Sequence, residues 1–174
     1  MDDRVTAGVT FGLLAAWALH DAEEVALLPG WLRRNLPELR DRFPAVPEKV
    51  WRQAEAVDER EFAVSVGLMA AVVAAASAAG QLTGGRSAFY QAALNGFGLH
   101  GLVHLAQAAA VRGYTPGSAT SPLLVVPFTL WARGRLRRTG VLRPTRPRDA
   151  ATGLAVAAVA TVATHAAARR LLGR

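Results

Sequence analysis

Residues 62–85 read FAVSVGLMAAVVAAASAAGQLTGG, 24 positions without an acidic or basic side chain. A helix crossing the roughly 30 Å hydrocarbon layer of a bilayer needs about 20 mostly apolar residues, so this stretch is long enough to span. Charged residues are also absent from 5–20, 87–111, 113–132 and 150–168, windows of 16, 25, 20 and 19 residues. The first of these reaches spanning length if its helix continues to Leu28. The pattern predicts an all-α, polytopic membrane helix bundle with five transmembrane helices, built as a single domain over residues 1–174. Pro122 and Pro127 interrupt the fourth window. The alternative is therefore four spans plus a re-entrant segment at 119–132.

Composition supports the same class. Of 174 residues 52% are hydrophobic and 19% charged, with a mean hydropathy of +0.21. These values exclude a disordered chain. Ala-rich runs such as 69–79 also occur as buried helices of soluble bundles, but five such windows leave too little polar surface for a soluble particle. The chain has no cysteine, which excludes a disulfide framework, a thiolate zinc site, an iron–sulfur cluster and a Cys nucleophile. Any metal must use His and carboxylate. The net charge of +7 comes from 19 Arg and one Lys set against 13 acids, and the basic residues sit at the ends of apolar windows. That placement points to lipid headgroups and to no nucleic acid. Gly80, Gly84 and Gly85 lack the Lys and Ser or Thr of a phosphate-binding loop. Asp2 and Asp3 stand where a signal sequence would be basic, so the first helix is expected to stay in an integral membrane protein.

Two polar regions divide the windows. Residues 30–62 carry seven basic and seven acidic side chains. Pro37, Pro44 and Pro47 should break this region into short pieces, with an interfacial helix running from Pro47 through Trp51, Ala54, Val57 and Phe62. Residues 133–149 hold seven Arg and one acid and read as a basic loop against anionic headgroups. Arginine and lysine counts leave orientation open, with nine on one side and eleven on the other for five spans, and fifteen against five for four.

The chemistry starts from the histidines, because His20, His100, His104 and His165 all lie in or at the end of apolar windows. A lone His in an apolar helix is most often a packing residue. Four together with carboxylates, in a setting where ionisable groups are costly, point to a cavity, a partner or an ion. His20, Glu23 and Glu24 are three and four residues apart and share one helix face. Asp21 points elsewhere and reads as a helix-end acid meeting water. Ala16, Gly12 and Gly8 continue the stripe and allow close helix approach. His100 and His104 set two imidazoles one turn apart, Gln107 follows at i+3, and Gly96, Gly98 and Gly101 thin that helix. At about 1.5 Å per residue His20 lies about 22 Å into its helix, His100 and His104 about 20 and 26 Å, and His165 about 22 Å. With five spans all four reach one level.

Residues 20–24 (HDAEE) followed by 25–31 (VALLPGW), then 99–107 (LHGLVHLAQ), 112–120 (RGYTPGSAT) and 164–169 (THAAAR) resemble the HXXEE-domain family of small bacterial integral membrane proteins. The resemblance covers most of the chain. It implies a multi-span helical protein named for His20, Glu23 and Glu24, carries the His-x-x-x-His-x-x-Gln element onto His100, His104 and Gln107, and leaves the reaction open.

His20, Glu24, His100 and His104 around one divalent ion, with Glu23 beside a bound water as general base, have the parts for metal-assisted hydrolysis of a lipid-like or hydrophobic small-molecule substrate. Gln107, His165 and Tyr114 are expected beside the metal or the substrate. Zinc is favoured over iron, because di-iron bundle sites bring four carboxylates. A non-heme iron oxidase, a proton or cation carrier, and a structural membrane protein without catalysis are the competing readings. Self-association into a homo-oligomer is left open.

Overall fold

A computed structural model describes residues 5–144 and 147–173, with side chains for 5–144 and 158–173. It is all-α, without a strand among the described residues: α1 (Ala7–Arg42), α2 (Glu48–Glu55), α3 (Glu59–Leu82), α4 (Ala88–Val111), a π-helical turn (Ser121–Val125) running directly into α5 (Val126–Arg138), and α6 (Pro147–Leu171).

The helix ends follow local chemistry. Asp58 accepts the Glu61 amide at the start of α3 at 2.9 Å, and Glu59 and Glu61 lie in that first turn, where acids suit the helix dipole. Ser87 caps α4 by accepting the Tyr90 amide at 3.2 Å. At the far end of α4, Arg112 takes a left-handed conformation with φ 55°, and the amides of Arg112 and Gly113 bond back to Ala109 and Ala108. This is the closing pair of a Schellman motif.

α1 continues through Pro29 and Pro37, although each ring removes a main-chain donor, and stops only before Pro44 and Pro47. The expected break at Pro37 is absent, because contacts along the second half of α1 hold it. The Trp31 indole donates to the Tyr114 carbonyl at 2.9 Å and Arg42 to the Val111 carbonyl at 2.6 Å. The helix that starts after Pro47 ends at Glu55, since Asp58 begins α3, and does not reach Phe62. Arg40 bonds Glu48 and Glu55 and ties α2 to α1.

The core joins Val9, Leu13 and Trp17 of α1, Val73 of α3, Tyr90, Leu94 and Phe97 of α4, and Val125, Ala132 and Leu136 from the turn and α5. Tyr90 is fully buried and donates its hydroxyl to the Val9 carbonyl at 2.6 Å. It crosses Gly80 of α3, where a Cβ would lie 2.5 Å from the ring. Gly12 likewise leaves room for Phe128, and Gly98 and Gly101 for Thr129 and Val125. These small residues let α1, α4 and α5 approach closely, and that approach positions the polar cluster described below.

The apolar windows correspond to helices, but the expected five spans are not supported. Among the described residues one helix, α3, is long and apolar enough to cross a membrane. α1 places Asp21, Glu23 and Glu24 inside its first half and then runs through Arg33, Arg34 and Arg40. α4 carries Gln91, Asn95, His100, His104 and Gln107. The 113–132 window is divided among a loop, the π turn and a 13-residue helix. The four-span alternative is likewise not supported. Residues 133–138 of the expected basic loop belong to α5, whereas Thr145 and Arg146 lie outside the described residues, as do Asp2 and Asp3.

Candidate metal centre

His20 and Glu24 stand one turn apart on α1, and His100 and His104 one turn apart on α4. The i, i+4 spacing points each pair in one direction, and the close α1–α4–α5 packing makes the two directions meet. One donor atom from each of the four residues lies within 4.8 Å of the other three. His104 Nε2 is 3.0 Å from Glu24 Oε1 and 2.9 Å from His100 Nε2, and His100 Nε2 is 4.0 Å from Glu24 Oε2. The three rings stand edge to face, with centroids 4.3 to 5.1 Å apart. Bonds of about 2.0–2.1 Å around a tetrahedral ion set neighbouring donors about 3.3 Å apart, inside the observed spread. The group could hold a metal ion.

His20 is fully buried, and its tautomer follows from its partners. Glu23 accepts four hydrogen bonds: Tyr114 Oη at 2.6 Å and the Gly117 amide at 3.0 Å on Oε1, and the Thr120 amide at 3.0 Å and Thr120 Oγ1 at 2.7 Å on Oε2. A hydroxyl has one proton, and Thr120 gives it to Glu23. The 2.6 Å contact between Thr120 Oγ1 and His20 Nδ1 is therefore donated by the imidazole. In the neutral ring this leaves Nε2 with a bare lone pair, and Nε2 is buried without a hydrogen-bond partner.

The 112–120 loop that supplies Thr120 depends on Gly117, whose φ is +85°. A Cβ there would also lie 2.7 Å from the His104 ring, so both the conformation and the space require glycine. Partial burial, together with the carboxylate it faces, pushes the Tyr114 hydroxyl up to about 12.

The structure thus brings together His20, Glu24, His100 and His104, and reaches Glu23 and Tyr114 through the loop. It does not bring in the other two candidates. Gln107 is exposed. His165 packs against α3, with Nδ1 3.2 Å from Glu61 Oε1 and Nε2 3.3 Å from Ser65 Oγ, so both of its nitrogens are engaged there. Three residues carry more than their spacing revealed. Thr120 and Gly117 lie inside the 112–120 motif, and their tie to α1 is long-range. Asp21, expected to meet water, is buried with Oδ2 unpartnered, because α1 does not end there.

The chain belongs to the family described as "Protein of unknown function with HXXEE motif", whose sequence model matches residues 11–132. The matched range holds all four clustered donors together with Glu23 and Thr120, and stops before α6. No curated protein and no solved structure matches the chain.

Proposed function

We propose that His20, Glu24, His100 and His104 bind one divalent metal ion in a membrane-embedded helix bundle, and that the centre serves hydrolysis or a related non-redox reaction on a hydrophobic, lipid-like substrate. The observation that carries this reading is the bare, buried Nε2 of His20. Burying a polar atom without a partner is costly, and here its ring packs against those of His100 and His104, in a four-donor group whose carboxylate, Glu24, has no Arg or Lys among its described ion partners. A cation bound by all four resolves both problems.

Three neutral nitrogens and one carboxylate suit zinc better than iron, since helix-bundle di-iron sites use about four carboxylates. When bound, such an ion supplies a Lewis acid and lowers the pKa of a coordinated water. The hydrogen bonds around Glu23 argue against the general base expected from its spacing, because a carboxylate offers about four lone-pair positions and its four are taken. Glu23 is read as a positioning residue that acts on His20 through Thr120, an arrangement common behind metal-binding imidazoles.

Membrane embedding is supported by α3 and by large apolar side chains on the outer surface. Leu123, Leu130 and Val162 are 81%, 66% and 70% exposed, which in water would be an aggregation hazard. Elemental analysis of detergent-purified protein tests the centre. Stoichiometric metal in the wild type, and none in His104→Ala of equal helicity, is expected. A wild type without metal after growth and purification in zinc overturns the reading.

A further inference from the structure

α4 meets α5 at Gly98 and the π-helical turn at Gly101, but near Gly96 an added Cβ would meet nothing within 4 Å. Gly96 lines a groove of about 540 Å³, within the range of about 300–1,000 Å³ typical of small-molecule sites. Leu99, Leu102 and Leu130 give it an apolar wall, and Arg133 and Arg143 line its other end.

The side chain of Arg133 and the main chain at Arg143 are held in place. Arg133 donates to the Asn95 side-chain oxygen, which leaves other N–H groups of its guanidinium for a ligand. Gln91 is nearly fully buried. It donates to the Gly85 and Val141 carbonyls at 2.8 Å each and accepts the Arg143 amide at 2.8 Å, which pins residues 141–143 to α4. Among the described residues neither guanidinium is ion-paired with a carboxylate.

We infer that this groove binds one anionic phospholipid, with its phosphate at Arg133 and Arg143 and an acyl chain along Gly96, Leu99, Leu102 and Leu130. The placement suits a bilayer. α5 is apolar at Val126–Leu130 and basic from Arg133 to Arg138, so a headgroup at the arginines leaves the chain at the depth of the apolar wall. Two guanidiniums without a carboxylate partner among the described residues, at one end of an apolar trough, complement a phosphate with a tail, and a zwitterionic or neutral lipid would leave that charge unmatched. The inference rests on the membrane-embedded part of the proposed function and uses nothing of the metal.

Native mass spectrometry of delipidated protein in detergent tests it, with dioleoyl phosphatidylglycerol, dioleoyl phosphatidylcholine, oleate and inorganic phosphate as probes. One phosphatidylglycerol per chain should be retained, at least tenfold tighter than phosphatidylcholine. Arg133→Ala with Arg143→Ala should abolish that preference. Gly96→Leu, whose side chain enters open space, should abolish retention with both arginines in place. Helicity and thermal unfolding in detergent serve as folding controls. Equal retention of the two phospholipids, or oleate or phosphate competing as well as the lipid, overturns the inference. So does a folded Gly96→Leu protein that binds as the wild type does. Failure of the underlying reading looks different: the chain would leave the membrane fraction in carbonate or salt and stay monodisperse without detergent.

Discussion

Two clusters in this molecule pair histidine with buried glutamate, and they resolve the charge differently. Between α3 and α6, Glu61 accepts Arg169 Nε at 2.9 Å and faces His165 Nδ1 at 3.2 Å. Its negative charge meets a permanent cation from the chain, and both His165 nitrogens have partners. Between α1 and α4, the ion partners of Glu24 among the described residues are imidazoles, and His20 presents a bare nitrogen. The same residue types therefore make a helix clamp in one place and a group that could hold an ion in the other. What separates them is whether the protein supplies the cation itself. The family match extends over the second cluster in full and stops short of Arg169 and His165.

The comparison breaks or holds first on metal content. His104→Ala should lose the metal entirely, whereas His165→Ala should keep it at wild-type stoichiometry; loss of metal in both variants would remove the distinction. Next in size is the pair of carboxylates. Glu24→Gln should weaken metal binding at least tenfold, as expected when a charged donor becomes a neutral amide. Glu61→Gln should leave the metal constant unchanged and lower stability by about 1 kcal/mol, a modest cost because Arg169 is more than half exposed and screened. Competition with a chelator gives the first value and thermal unfolding in detergent the second.

Smaller again is the effect of the hydrogen-bond chain behind His20. Thr120→Val keeps the shape of the side chain but removes the group that takes the Nδ1 proton and passes its own to Glu23. Metal affinity should fall about 10- to 100-fold, the usual range for the partner behind a metal-binding imidazole. Thr120→Ser should restore it. If valine and serine behave alike, the tautomer is set by something else and the bare Nε2 loses its explanation.

Much of the metal cluster was legible from spacing. His20 with Glu24, and His100 with His104, are i, i+4 pairs, and helix geometry alone aims each pair; the glycines beside them marked where helices could approach. The role of Glu23 was not legible. Its position a little short of a full turn from His20 says that it flanks the face, but its partners come from a loop more than 90 residues away, and no local rule reports their donors. His165 shows the limit of depth arithmetic. Rise per residue gives one coordinate, while rotation about α6 decides whether the ring faces α1 or Glu61. The helices were legible as charge-free windows, but their role as spans was not. A missing charge marks where a helix can be apolar, and α1 carries its acids and arginines within one continuous helix.

The smallest effect separates the two roles available to Glu23. Tyr114 donates one of its four hydrogen bonds, from a residue that is 46% exposed. In Tyr114→Phe, Glu23 keeps the Gly117 amide and both Thr120 donors, so Thr120 stays fixed and His20 keeps its tautomer. An exposed hydrogen bond to a charged group contributes about 1 kcal/mol or less once water replaces the donor. Metal affinity should therefore fall no more than about fivefold. If Glu23 instead takes a proton from a substrate or a water, removing a donor makes its carboxylate more basic, and the acid limb of the rate profile should move upward in pH while metal content stays constant. An unmoved profile with a slightly weaker metal constant supports the positioning role. A moved profile returns Glu23 to the base expected from its place in the sequence.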